Sequence, residues 1–173
     1  MQTGKLSICV LLAGTIILCA CSMDDDESTV VNDADQAFVM QAGYGNAAEV
    51  DLGKLAVSKA AGDGVKDFGQ MMVDDHGTAQ QELKDIARTW NISMPEQPDS
   101  IHQQKHRQLE AMSGTTFDTA YMHGQIIDHE KTIALFEAEM QNGENKRIKD
   151  YAGKYLPVIR MHLEKADSLA AAY

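Results

Sequence analysis

Apolar residues recur at steps of three and four along four long stretches, the spacing that gives a helix one buried face. The first stretch carries Phe38, Ala42, Gly45, Leu52 and Ala56, and the second carries Val65, Phe68, Met72, Ala79, Leu83, Ile86 and Trp90. Met122, Ile126, Ile133, Phe136 and Met140 mark the third, and Ile148, Ala152, Tyr155, Ile159, Ala166 and Leu169 the last. No segment alternates as a strand would. Punctuation sets the bounds. Asn32 or Asp33 caps a helix that runs to Ala61 ahead of Gly62, and Asp63 caps a second that reaches about Trp90. Pro95 and Pro98 bracket a loop, and a short helix follows over Asp99 to Met112. Thr115 with Asp118 opens the next long helix, which ends at Gln141 before Asn142-Gly143, and the last runs from Glu144 toward Tyr173. Pro157 falls inside it, which predicts a kink against the carbonyl of Gly153. Rods of about 40 Å joined by tight turns pack antiparallel. The expectation is an all-α four-helix bundle over residues 33–173, with a short extra helix between its second and third long helices.

The interruptions of these stripes carry the chemistry. Glu49 falls between Gly45 and Leu52, Asp75 or His76 between Met72 and Ala79, His129 between Ile126 and Ile133, and His162 between Ile159 and Ala166. Each long helix thus places an ionisable group where a core residue is expected, and burying such groups unpaired costs several kcal/mol. Three arrangements satisfy that demand: a polar layer of carboxylates and imidazoles bonded to one another, a transition-metal site of the same residues, or stripes imperfect enough that the groups face water. Counting from the turns puts Glu49 level with His76. His162 instead lies about five residues off the height of His129, roughly 7 Å of rise, which argues against one compact four-ligand site. His102 and His106 stand four apart on the short helix, a spacing able to chelate a surface metal ion. The methionines on the stripes, Met72, Met122 and Met140, read as core filler.

The first thirty residues read differently. Lys5 precedes an apolar run from Leu6 to Ala20, too short for a spanning helix and followed at once by polar sequence. Its end, Leu18-Cys19-Ala20-Cys21, resembles the lipobox of bacterial lipoproteins. That resemblance implies a signal peptide over residues 1–20, cleavage, and a lipid on Cys21 that attaches the protein to a membrane. Ser22 after the cysteine resembles the sorting context for the outer membrane, with the domain facing the periplasm or the cell surface, and the acidic segment 21–32 serves as a tether. All three cysteines, Cys9, Cys19 and Cys21, lie in this region, so the helical domain has no thiol for a disulfide, a thiolate metal site or a nucleophile.

Net charge is −11 and becomes more negative once Lys5 is removed, a field that repels nucleic acid and anionic lipid head groups. No Gly-x-Ser-x-Gly, phosphate-binding loop or His-Glu-x-x-His occurs.

The run Phe68-Gly69-Gln70-Met71-Met72-Val73-Asp74-Asp75-His76, then Phe117-Asp118 with Tyr121, Asp128-His129, and Leu156-Pro157 with His162, resembles the bacterial envelope family called domain of unknown function 4142. The likeness spans about residues 36 to 170 and implies a ferritin-like four-helix fold; the family carries no established reaction. Ferritin-like di-iron proteins use Glu-x-x-His on two helices. Here Val73, Ile126 and Ile159 stand three residues before His76, His129 and His162, so ferroxidase chemistry does not come with the fold. On sequence grounds the chain is an anchored, non-enzymatic module that requires no cofactor and meets an envelope protein or a small ligand. Its rival is a metal-handling protein that uses the internal cluster for a transition-metal ion.

Overall fold

The computed structural model describes Met1 and residues 30–172. Residues 2–29, on which the expected signal peptide, Cys21 and most of the expected tether fall, lie outside the described residues. Five helices follow in order: α1 Asp33–Lys59, α2 Asp63–Thr89, α3 Ser100–Glu110, α4 Gly114–Asn142 and α5 Lys146–Ala170. Among the described residues there is no strand, and no helix is long and apolar enough to cross a membrane.

Hydrogen bonds between helix ends fix the topology. Asn32 Nδ2, at the start of α1, donates to the carbonyl of Asn142 at the end of α4 (2.9 Å). At the other end the amides of Ala61 and Gly62 donate to Asp118 near the start of α4 (3.0 and 2.8 Å). Hence α1 and α4 run antiparallel. Two tight hairpins, α1–α2 and α4–α5, pack face to face, and the connection through α3 carries the chain back along the bundle. One long crossover of this kind gives the ferritin-like arrangement expected from the sequence.

Local chemistry places the ends with some differences from expectation. Asn32 caps α1 in a full capping box with Asp35. Asp63 does not cap α2; the cap residue is Gly62, without a side-chain bond, and the distant Asp118 takes the free amides instead. For the same reason Asp118 does not form a box with Thr115. The last helix starts at Lys146 rather than Glu144, with Asn145 Oδ1 accepting from the amides of Arg147 and Ile148. Helix α5 continues through Pro157 without a break. Toward the C-terminal end of α1, Gly53 lies against Gly69 of α2. A Cβ on Gly53 would stand 2.6 Å from the Gly69 carbonyl oxygen, so these two helices meet almost backbone to backbone.

The interior divides into two apolar halves. One holds Phe38, Leu83, Ile86, Phe136, Tyr151 and Ile159, and the other Leu52, Phe68, Met72, Phe117, Tyr121 and Met122. Between them, at the level where all four stripes are interrupted, lies a polar layer.

Candidate metal centre

His76 of α2, His129 of α4 and His162 of α5 are all buried and converge on one point. Their ring centroids are 5.4 to 5.8 Å apart, and one nitrogen from each ring lies within 4.8 Å of the others. The remaining ring nitrogens are held from outside the cluster. Asn46 Nδ2 donates to the Tyr151 hydroxyl (3.0 Å), which leaves its Oδ1 to accept from His76 Nδ1–H (2.9 Å). His129 Nδ1–H donates to the Gln125 carbonyl oxygen (2.8 Å), and His162 Nε2–H donates to Asp75 Oδ2 (2.8 Å).

These bonds decide the tautomers. A neutral imidazole whose protonated nitrogen is bonded outward carries a lone pair on the other. His76 Nε2, His129 Nε2 and His162 Nδ1 are those other nitrogens, and all three are buried with no hydrogen-bond partner. Neighbouring imidazoles cannot satisfy one another in this state, because each presents an acceptor and none a donor. Burial, reinforced by His129 and His162, holds His76 well below the ordinary histidine range. Burial also lowers His162, against the pull of Asp75. Both rings are therefore neutral at pH 7.

Glu49 and Asp75 stand outside this set. Glu49 is buried and accepts from Gln125 Nε2 (2.8 Å). Burial pushes its carboxyl above the usual range, while His129 and the Gln125 bond pull the other way. Asp75 is the outer partner of His162, an arrangement common behind metal-bound imidazoles. On the short helix, His102 Nδ1 is engaged by Asp99 (2.8 Å) and His106 Nδ1 by Asp51 (2.6 Å). The first carboxylate is the N-cap residue of α3 and the second belongs to α1, so each of these imidazoles has a carboxylate partner of its own.

The five-residue mismatch expected between His129 and His162 does not keep them apart. Two of those residues belong to the turn, since α5 starts later than expected. Asn46, Gln125 and Tyr151 were not foreseen in the site, although Asn46 sits one position past Gly45 on the apolar face of α1.

The comparisons with known proteins enter at this point. The family model described as Domain of unknown function (DUF4142) matches residues 21–169. The chain belongs to that family. No curated protein matches this DUF4142 chain. Its fold is similar to that of a solved structure titled as a DUF305 fragment from Deinococcus radiodurans, with a TM-score of 0.73 over 83% of this chain and 99% of that one. Identity is 10%, so the likeness speaks for the helical fold alone.

Proposed function

We propose that this DUF4142 chain is a lipid-anchored envelope protein whose helical bundle binds one transition-metal ion through His76, His129 and His162. The observation that carries this reading is the set of three inward, unpartnered imidazole lone pairs in a buried layer. A self-satisfied polar layer, the reading favoured from sequence, leaves those atoms without partners, and each buried unpaired polar atom costs about 1–3 kcal/mol. A cation relieves all three at once. Nitrogens bound to one ion at about 2.0–2.1 Å stand about 3.4 Å apart, so ring movements on the order of an ångström close the set.

The donor set fits a borderline ion such as zinc, iron or copper, which imidazole suits, better than magnesium or calcium, which take oxygen ligands. The bridging carboxylates of di-iron proteins are missing from the ligand positions, so the reading is binding of a single ion by a non-enzymatic module. Lipidation at Cys21 and location at the outer membrane rest on the lipobox-like Leu18-Cys19-Ala20-Cys21.

The test is metal analysis of protein purified without added metal, followed by titration of the chelator-treated protein with zinc or cobalt(II). One ion per chain is expected, lost in each of His76→Ala, His129→Ala and His162→Ala and kept in His102→Ala. Wild-type protein that stays metal-free at micromolar ion, or that loses its ion only with His102 and His106, contradicts the proposal.

A further inference from the structure

A buried site needs a way in, and the bundle's helix seams differ in what they offer. Gly53 and Gly69 bring α1 and α2 to backbone contact near the turn. The groove of about 280 Å³ that lies farther along these helices, over Ala47, Asp51, Gly77 and Gln80, is lined by none of the three histidines. The α1–α4 seam is roofed by α3, which is strapped down by the His106–Asp51 pair, by Lys59 donating to the Glu110 carbonyl, and by Lys105 with Asp128. A groove of about 430 Å³ remains there and reaches Glu49. However, none of the three histidines lines it, and it carries both signs, Lys105 and Lys131 beside Glu49, Asp99 and Asp128, with the Lys105 ammonium bonded to Asp128 and to the carbonyl of Gly124.

The α2–α5 seam is different. A small cavity of about 10 Å³, room for a single ion or water, reaches the triad there: Asp75, His76 and His162 line it together with Tyr155 and Val158 of α5, and Asn46 of α1 and Phe136 of α4 close its inner side. Asp75 brings the one carboxylate of that lining, and its side chain is 41% exposed while the His162 side chain it bonds is 1% exposed. One carboxylate thus touches solvent and a ring of the triad at the same time. On a chain of net charge −11, a carboxylate at the mouth adds local attraction for cations to a field that already draws them.

We propose that Asp75 is the capture residue of the metal centre: the ion arrives between α2 and α5, is held first by the Asp75 carboxylate, and passes inward to His162 and His76. This rests on the metal reading of the triad. It gives Asp75 two separable duties, since the carboxylate also orients His162 so that Nδ1 points inward. Asp75→Asn divides them. An asparagine oxygen still accepts from His162 Nε2–H, but the charge is gone.

The experiment is stopped-flow mixing of the chelator-treated protein with cobalt(II) at several salt concentrations, on wild type, Asp75→Asn and Glu49→Gln. Thermal melting of each variant serves as a check on folding. For Asp75→Asn the association rate is expected to fall about tenfold at low salt and to converge on wild type at high salt, while any rise in the dissociation rate, from loss of the carboxylate behind His162, is expected at low and high salt alike. Glu49→Gln is expected to load at the wild-type rate. An unchanged association rate in Asp75→Asn, an effect confined to dissociation, or slowing in Glu49→Gln alone overturns the capture role while the metal reading stands. Wild-type protein that takes up no cobalt overturns both.

Discussion

The two hairpins of the bundle are built to one plan and filled differently. The same step along the chain separates Asp35 from Asp118 and Gly62 from Asn145. In the structure these residues cap each other's hairpins. Asp118, on the second hairpin, accepts from Ala61 and Gly62 in the turn of the first, and Asp35, on the first, accepts from Glu144 and Asn145 in the turn of the second. Carried along the helices, this correspondence pairs buried positions throughout: Phe38 with Tyr121, Val65 with Ile148, Phe68 with Tyr151. It fails to pair like with like at the polar layer. Asn46 matches His129, Ala79 matches His162, and His76 matches Ile159. The framework is shared by both halves, whereas the histidine triad breaks the symmetry, drawing one imidazole from the first hairpin and two from the second.

The capping carboxylates offer the largest test of this plan. Asp118 is fully buried and carries two turn amides, with Ala56 at the place that corresponds to Glu139 near Asp35. Asp118→Ala leaves both amides without a partner and is expected to lower stability by about 3 kcal/mol, measured by urea unfolding. Asp35→Ala is expected to lose less, because the carboxyl of Glu139 stands beside it and can take over its amides. Equal losses at the two ends would mean that the reciprocal caps do not differ in this way.

A second difference lies in how closely each hairpin packs. Where the first hairpin opposes Gly53 to Gly69, the second has Phe136 and Ala152. A Cβ on Gly69 would meet Ala56 Cβ at 2.8 Å and the Gly53 carbonyl at 2.9 Å. Gly69→Ala is therefore expected to cost about 2 kcal/mol despite the better helix propensity of alanine. The matching change in the other hairpin, Ala152→Gly, is expected to cost only about 1 kcal/mol, from propensity and a lost methyl. Comparable melting-temperature shifts for the two would remove the packing contrast.

The smallest effect concerns the proton at the Asp35 end. Burial, with the Asp35 carboxylate beside it, raises Glu139 from the usual 4.5 to about 8. The unfolded chain releases that proton near 4.5 and the folded chain holds it to about 8, so this end loses stability as pH rises between those values. Glu139→Gln keeps a donor toward Asp35 and has no proton to lose. At pH 8 it is expected to gain on the order of 1–2 kcal/mol over wild type, and at pH 4 nothing, in unfolding curves at the two pH values. A gain that is the same at both would assign it to packing instead.

Much of this architecture was legible in the sequence, for stated reasons. Steps of three and four fixed the helices, and Gly62-Asp63 and Asn142-Gly143 fixed the antiparallel neighbours. The interruptions of the stripes pointed to Glu49, His76, His129 and His162 because an ionisable group on an apolar face demands a partner. What stayed hidden depends on contacts between distant segments. Asp118 looked like a local capping residue, since nothing in its neighbours reveals that its partners are amides of Ala61 and Gly62. Asn46 and Gln125 carry no charge and so raised no alarm on their helices, yet the Asn46 side chain sets which nitrogen of His76 faces inward and the Gln125 side chain donates to Glu49, while His129 is held by a main-chain carbonyl. The relative height of His129 and His162 depended on where α5 begins, and helix starts are the least determined feature of a sequence reading.

The claim on which the functional account stands is that three imidazoles, and no carboxylate of this chain, hold one ion. X-ray absorption on the zinc-loaded protein counts ligands directly. The account predicts three imidazole nitrogens at about 2.0–2.1 Å, with any further ligand a light atom from solvent, and the loss of that signature in His129→Ala. A spectrum that required fewer than three imidazoles, or that survived unchanged in His129→Ala, would contradict it.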